Sequence, residues 1–168
     1  YLGEEINHQW SKSEEFESLF KDYVKSFITP DVEYYSLLRG LNEFQITEIF
    51  AKHGKYFRAF SSCNRSYKID PEDYLNTDKR WCGECPKCLF VFIMLSAFIS
   101  KRQLWEIFGK NLFDDKSLKP LFEELLGIKR FKPFECVGEP EEVKKALSLA
   151  SKRREFKGSY LMDFYEGL

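Results

Sequence analysis

Four of the chain's five cysteines stand at Cys63, Cys82, Cys85 and Cys88, the last three within the run Trp81-Cys82-Gly83-Glu84-Cys85-Pro86-Lys87-Cys88. Sulfurs drawn to one point would tie the neighbourhood of residue 63 to the start of a distant segment. A Cys-x-x-Cys pair with glycine after its first thiolate can curl so that both sulfurs face one ion, and two further cysteines complete the tetrahedron that Zn²⁺ prefers. Disulfides are the first alternative, since small secreted domains use them in place of a core they are too short to build. This chain is not short of core: it has 168 residues, 43% hydrophobic and 17% aromatic, which suits one domain with a buried interior. An iron–sulfur cluster is the second alternative. Ferredoxin-type sites also space cysteines at two-residue gaps, but here no fourth cysteine follows at a short gap and Cys63 lies far upstream. The expectation is one structural zinc ion on Cys63, Cys82, Cys85 and Cys88, with Cys136 outside the set.

Charge excludes some partners. With 26 basic and 27 acidic residues the net charge is −1, so no field-driven nucleic-acid or membrane surface is expected. The densest basic run, Lys152-Arg153-Arg154, follows a helical stretch, where cations complement the carbonyl end of the dipole. No signal peptide is expected, and these 168 residues hold no apolar run of the roughly 20 needed to span a bilayer. A reducing cytoplasm is therefore the expected location. The chain opens at Tyr1 rather than Met, and the expectation is that it is the carboxyl-terminal part of a longer protein.

Periodicity places the elements. Ser11 and Glu14 fit a capping box, after which Phe16, Leu19, Phe20, Tyr23, Val24 and Phe27 recur at helical spacing up to Pro30. Residues 32–38 read as a strand, Asn42 as the cap of a helix that stops at Gly54, and residues 56–60 as a second strand. Helix, strand, helix, strand in this order predicts an α/β fold with a parallel sheet, Cys63 falling just past a strand's carboxyl end. Pro86 suits the first turn of a helix that puts Cys88 near its positive end. Residues 89–99 are almost wholly apolar and too few to cross a membrane, which predicts a buried central helix. Further helices are expected over residues 101–108, 118–126 and 140–154, with Gly109 and Gly127 as stops. No phosphate-cradling glycine loop and no Ser-Gly-Gly-x-Asp-Ser run occurs.

Ser62-Cys63 followed by Cys82-Gly83-Glu84-Cys85-Pro86-Lys87-Cys88 resembles the zinc signature of 7-cyano-7-deazaguanine synthase and related ATP pyrophosphatases. With Asn7-His8-Gln9-Trp10-Ser11-Lys12-Ser13, Ser62-Cys63-Asn64-Arg65 and Lys132-Pro133-Phe134-Glu135-Cys136-Val137-Gly138, the chain resembles the carboxyl-terminal part of the UDP-N-acetylmuramoyl-L-alanyl-L-glutamate epimerase family. The resemblance implies the end of a doubly wound parallel α/β sheet, an ATP-pyrophosphatase-like portion over residues 1–62, followed by a zinc-bearing, mostly helical subdomain over residues 63–168. It implies a cytoplasmic isomerase of peptidoglycan precursor synthesis that uses ATP and Mg²⁺ to invert the terminal L-glutamate of a nucleotide-linked dipeptide. The ATP loop would lie in an amino-terminal half that this chain lacks, leaving the fragment alone inactive.

Roles follow residue by residue. Cys136, the cysteine outside the metal set, is a candidate proton carrier, against the alternative of a small buried hydrophobe. Glu135 is a candidate base or a partner of Lys132. His8 is a candidate acid–base group, although a histidine before a helix more often caps or packs. Asn7, Lys12, Asn64, Arg65 and Lys132 are candidates for holding substrate phosphates or carboxylates. Two other classes stay open: a zinc-containing ATP pyrophosphatase of the 7-cyano-7-deazaguanine synthase type, which would show a basic face if it acted on tRNA, and a zinc-stabilised module with no chemistry of its own.

Overall fold

The computed structural model describes residues 10–66, 80–129, 132–133 and 135–168. The chain divides after Asn42 into two compact units.

In the first unit, a 3₁₀ turn at Trp10–Lys12 leads into α1, Glu14–Tyr23. The cap is Ser13, whose hydroxyl accepts from the Phe16 main-chain N–H at 3.1 Å, and not Ser11, which the turn occupies. The helix widens into a π-helical turn over Val24–Ile28 and ends at Thr29, before Pro30. Phe16 stacks on Phe20, and Phe20 meets Tyr34 edge-on at 4.9 Å. Glu17 is the buried polar anchor. Its carboxylate accepts from the Ser36 N–H at 3.0 Å and from Arg39 Nη2 at 2.6 Å, and it pairs with Lys21 at 3.1 Å.

The expected parallel sheet is absent: the described residues contain helices, turns and irregular segments and no strand. Both strand candidates fail for physical reasons. Residues 32–36 take up no regular secondary structure, Val32, Tyr34 and Tyr35 are exposed, and the segment is fastened through Glu17 instead of through a strand ladder. Without a paired neighbour an extended segment is not a sheet. Residues 56–60 instead follow a 3₁₀ turn at Gly54–Tyr56, with the Phe60 N–H bonded back to the Tyr56 carbonyl at 3.2 Å. Phe57 and Phe60, three apart, both pack on Phe50, with ring centroids at 5.5 and 4.6 Å. That spacing belongs to a helical turn and not to the two-residue alternation of a strand.

The second unit, Glu43–Leu168, is built around one apolar helix. It begins with α2, Glu43–Ala51, whose Phe44 N–H is bound by Glu142 Oε1 at 3.0 Å. α3, Pro86–Ser96, is apolar on nearly every side and accordingly buried, with Leu89, Phe92 and Ile93 fully enclosed. Around α3 pack α2, α4 (Lys101–Phe108), α5 (Lys119–Leu125) and α6 (Pro140–Lys152). α4 has a complete capping box, Ser100 with Gln103, and ends at Gly109, whose φ of 75° closes a left-handed C-terminal turn. Phe92 of α3 lies at the centre of edge-on ring contacts with Phe108, Phe113 and Phe156 at 5.3, 5.0 and 6.5 Å. The 3₁₀ turns Leu112–Asp114 and Lys116–Leu118 and the last helix, α7 (Tyr160–Glu166), complete the unit.

Candidate metal centre

The cysteines converge because of local turns that the sequence encodes. Gly83 takes a φ of 71°, which bends the chain after Cys82. The Glu84 N–H then points back at Cys82 Sγ, 3.4 Å away. Cys85 is the N-cap of α3, Pro86 occupies the first turn, and Cys88 follows within that turn, so both sulfurs project at the helix start. Cys63 arrives from an irregular segment held by Ser61, whose hydroxyl donates to the Arg80 carbonyl at 2.6 Å and accepts from the Cys63 N–H at 3.3 Å. The Cys82 N–H points at Cys63 Sγ at 3.4 Å.

The four sulfurs all lie within 4.8 Å of one another. Individual separations are 3.9 Å for Cys63–Cys85, 3.7 Å for Cys82–Cys88 and 3.5 Å for Cys85–Cys88. A tetrahedron of metal–sulfur bonds of about 2.3 Å has edges of about 3.8 Å, so these spacings can hold a metal ion. Cys63, Cys85 and Cys88 are buried and Cys82 is partly exposed. Their acidities are forced apart by crowding. Hydrogen bonding with Cys88 brings Cys85 down to about 4, while the same contact, followed by burial, pushes Cys88 up. Burial raises Cys82; at Cys63 burial opposes ionisation, but hydrogen bonds from Ser66 and the Cys82 main chain outweigh it and lower the thiol. A cation among the four sulfurs would favour the ionised form of all of them, and the N-terminal end of α3 adds a favourable dipole.

Two sequence candidates meet beside the centre. The Asn64 side-chain amide donates to Glu135 Oε2 at 3.0 Å. Burial, and after it the charge of Cys85, raises the Glu135 carboxyl, and the Lys87 main-chain N–H pulls it part of the way back. Cys136 is half-buried. Lys132 does not pair with Glu135: its ammonium binds Glu139 Oε1 at 2.9 Å and the Val137 carbonyl at 3.3 Å. Arg65 forms an exposed ion pair with Glu84 at 3.2 Å. Lys12 belongs to the first unit, where its carbonyl accepts from Arg39 Nη1 at 3.1 Å. Asn7 and His8 lie outside the described residues.

A cleft of about 550 Å³ opens beside Cys82, with Arg58, Arg80, Trp81 and Lys110 among its lining residues. Arg58 and Arg80 stand in no motif, and only the folding of residues 54–60 against Trp81 brings them to one cavity.

A helical domain closed around a four-cysteine centre is therefore the class of protein that fold and site define. Residues 59–166 match the family model of the MurL C-terminal domain, and residues 1–37 match that of the MurL N-terminal domain. The chain belongs to the MurL epimerase family. It is similar to the UDP-N-acetyl-alpha-D-muramoyl-L-alanyl-L-glutamate epimerase of Xanthomonas oryzae pv. oryzae (strain MAFF 311018), with 46% identity over 153 residues, covering 91% of this chain and 33% of that protein. Proteins of the same name from Micromonospora sp. (strain ATCC 39149 / NRRL 15099 / SCC 1413) and Salinispora tropica (strain ATCC BAA-916 / DSM 44818 / JCM 13857 / NBRC 105044 / CNB-440) are 40% and 42% identical, over 92% and 88% of this chain and 34% and 31% of their own lengths. The chain thus spans about a third of the length of these relatives. No solved structure matches it. Among the described residues, no helix is long and apolar enough to cross a membrane.

Proposed function

We propose that this chain is the carboxyl-terminal part of a cytoplasmic, ATP- and Mg²⁺-dependent isomerase that converts the terminal L-glutamate of UDP-MurNAc-L-Ala-L-Glu to D-glutamate during peptidoglycan precursor synthesis. The observation that carries this reading is the 46% identity, over 91% of the chain, to a protein named for that epimerisation. A free carboxylate makes the adjacent α-proton a poor acid, because removing it would place a second negative charge beside the first. ATP with Mg²⁺ supplies the activation, by adenylating the carboxylate and so removing its charge. The ATP-binding loop belongs, in this reading, to the portion of the relatives upstream of the matched third.

What these residues contribute is proton transfer, positioning and support. The Cys136 thiol is the proton carrier, with Glu135, whose affinity for a proton is raised, as the second group. His8 is a further candidate. Asn64 orients Glu135 through its hydrogen bond. Lys12, Arg65, Lys132 and Asn7 hold carboxylates or phosphates of the nucleotide-linked substrate, Arg65 from within its exposed pair with Glu84. The ion that would best fit Cys63, Cys82, Cys85 and Cys88 is Zn²⁺, since the donors are all sulfur and lie close enough together to surround one ion. Four thiolates would complete its coordination and leave no position for water, so its role would be structural.

The test is solvent exchange in full-length protein. In D₂O, the α-position of the substrate's terminal glutamate should take up deuterium only when ATP and Mg²⁺ are both present. Cys136→Ser should slow that uptake sharply while ATP-dependent pyrophosphate release stays measurable, because activation precedes proton transfer. Unchanged uptake in Cys136→Ser would move the proton-transfer role to Glu135 or His8. No ATP-dependent uptake by folded, zinc-loaded, full-length protein would overturn the epimerase reading.

A further inference from the structure

The cleft beside Cys82 has an electrostatic character that its composition hides. Five charged side chains line it: Arg58, Arg80, Lys110, Glu84 and Glu106. Three are neutralised by groups that do not line it: Glu84 by Arg65 at 3.2 Å, Glu106 by Arg102 at 3.3 Å, and Lys110 by Asp115 at 2.7 Å. Among the described residues, neither the Arg58 nor the Arg80 guanidinium has an ion-pair or hydrogen-bond partner. Among the described residues, the cleft therefore presents two guanidiniums without a partner, while its other charged side chains are paired.

The walls are suited to more than a bare anion. Trp81, Phe57 and Phe108 line the same cavity as buried rings, Trp81 lying 4.8 Å from Phe108 between ring centroids. A volume of about 550 Å³ is within the range of small-molecule sites, about 300–1,000 Å³. Planar, always-charged guanidiniums bind phosphate oxygens in a fork geometry, and the apolar wall beside them can border the less polar nucleoside part of a ligand.

We propose that this cleft is a phosphoanhydride-binding subsite, in which Arg58 and Arg80 clamp adjacent phosphates and the Trp81 wall borders the nucleoside. The inference rests on the epimerase reading only for the choice of ligand, because that reading supplies two phosphoanhydrides: the diphosphate of the nucleotide-linked substrate and the triphosphate of ATP. Cys82 lines the cleft as well, so the metal centre holds one wall of the subsite in place.

The experiment is calorimetric titration of zinc-loaded, full-length protein with UDP, with ATP and with inorganic pyrophosphate at fixed ionic strength, repeated on Arg58→Ala, Arg80→Ala and the corresponding lysine variants. Zinc content and thermal midpoint of each variant establish folding; both arginines are exposed, and neither substitution should move them. Each alanine should weaken one nucleotide by about 10- to 100-fold, the cost of losing hydrogen bonds to a charged group. Lysine should restore part of the affinity, since it returns the charge without the fork. Loss confined to UDP identifies the substrate diphosphate, and loss confined to ATP the cosubstrate. Affinities for all three probes unchanged in both alanine variants, or no binding of any probe by the wild type, would overturn the subsite. Arginine-dependent binding by a protein without epimerase activity would leave the cleft standing and remove the epimerase reading. Full epimerase activity with unchanged KM for both nucleotides in the two alanine variants would do the reverse.

Discussion

The side-chain amide of Asn64 donates to the Glu135 carboxylate at 3.0 Å across 71 residues of sequence, and each partner adjoins a cysteine of different status. Asn64 follows Cys63 of the four-sulfur centre, and Glu135 precedes Cys136, which lies outside it. One hydrogen bond thus links the metal centre to the segment that carries the proposed proton carrier. Asn64→Ala should leave one zinc per chain, since all four sulfurs remain, but free the 135–137 segment. The expected sign is a rise of a few-fold in the alkylation rate of Cys136, measured by mass spectrometry with the other cysteines protected by metal. An unchanged rate would mean that the segment is held by its other contacts, among them the Lys87 main chain on Glu135.

The centre itself should bind one Zn²⁺ per chain, with Cys136 excluded. Removing one sulfur leaves the ion a weaker site and releases the irregular segment at Cys63 from the start of α3, so metal affinity and folding should fall together. Cys85→Ser is expected to lower the thermal midpoint by several degrees or to abolish soluble expression, and a strong chelator should do the same to the wild type. Elemental analysis beside calorimetry checks both. A Cys85→Ser protein of wild-type midpoint that has lost only turnover would contradict the structural role.

Gly83 is the backbone hinge of that centre. Its φ of 71° is unfavourable for a side chain, and a Cβ there would meet Lys110 Cε at 2.9 Å. The lysine tip can move, though it would loosen the 2.7 Å contact with Asp115, so most of the cost comes from the backbone. Left-handed geometry costs an alanine about 1–2 kcal/mol. Gly83→Ala should therefore reduce zinc affinity and lower the thermal midpoint by about 2–8 °C. Gly40→Ala is the control: its φ is not positive and nothing lies within 4 Å of the added carbon.

The legible parts of this fold were those fixed by local chemistry. The 82–88 knuckle, Pro86 opening α3, and Gly109 and Gly127 closing their helices each depend on a few adjacent residues, and the fully apolar run at 89–95 has nowhere to go but the interior. The strand readings failed because β-branched and aromatic residues describe a surface to be packed and do not supply the partner that makes a strand. At 56–60 the aromatics found Phe50 by a turn, and at 32–36 a buried carboxylate supplied the anchor that a neighbouring strand would have provided. α7 carries little sequence signal because it follows the mostly polar run at 152–158 and is only seven residues long. In the site, the clustering of the four cysteine sulfurs was readable from spacing. Which charges remain unpaired is set by distant partners such as Arg65 with Glu84, and no local pattern carries that.

Glu17 should give the first unit a pH-dependent stability of definite sign. Arg39 in the first place, and with it Lys21 and the Ser36 N–H, holds the carboxyl below its ordinary value of 4.5 against the opposing effect of burial. A carboxyl whose affinity for protons is lower in the folded state contributes its full stabilisation above the unfolded value, and loses it as the pH falls through the lower folded value. The difference in urea midpoint between wild type and Glu17→Gln should therefore be large near neutral pH, narrow below pH 4.5, and close once the carboxylate is protonated in both states. Other depressed carboxyls, Asp115 and Glu155 among them, are common to the two proteins and cancel in the difference. Arg39→Gln should mimic the loss at neutral pH, and the double variant should cost less than the sum of the two single changes, because the pair at 2.6 Å is broken only once. A difference between wild type and Glu17→Gln that stays constant from neutral to acid pH would show that the glutamate acts through packing and neutral hydrogen bonds and not through its charge.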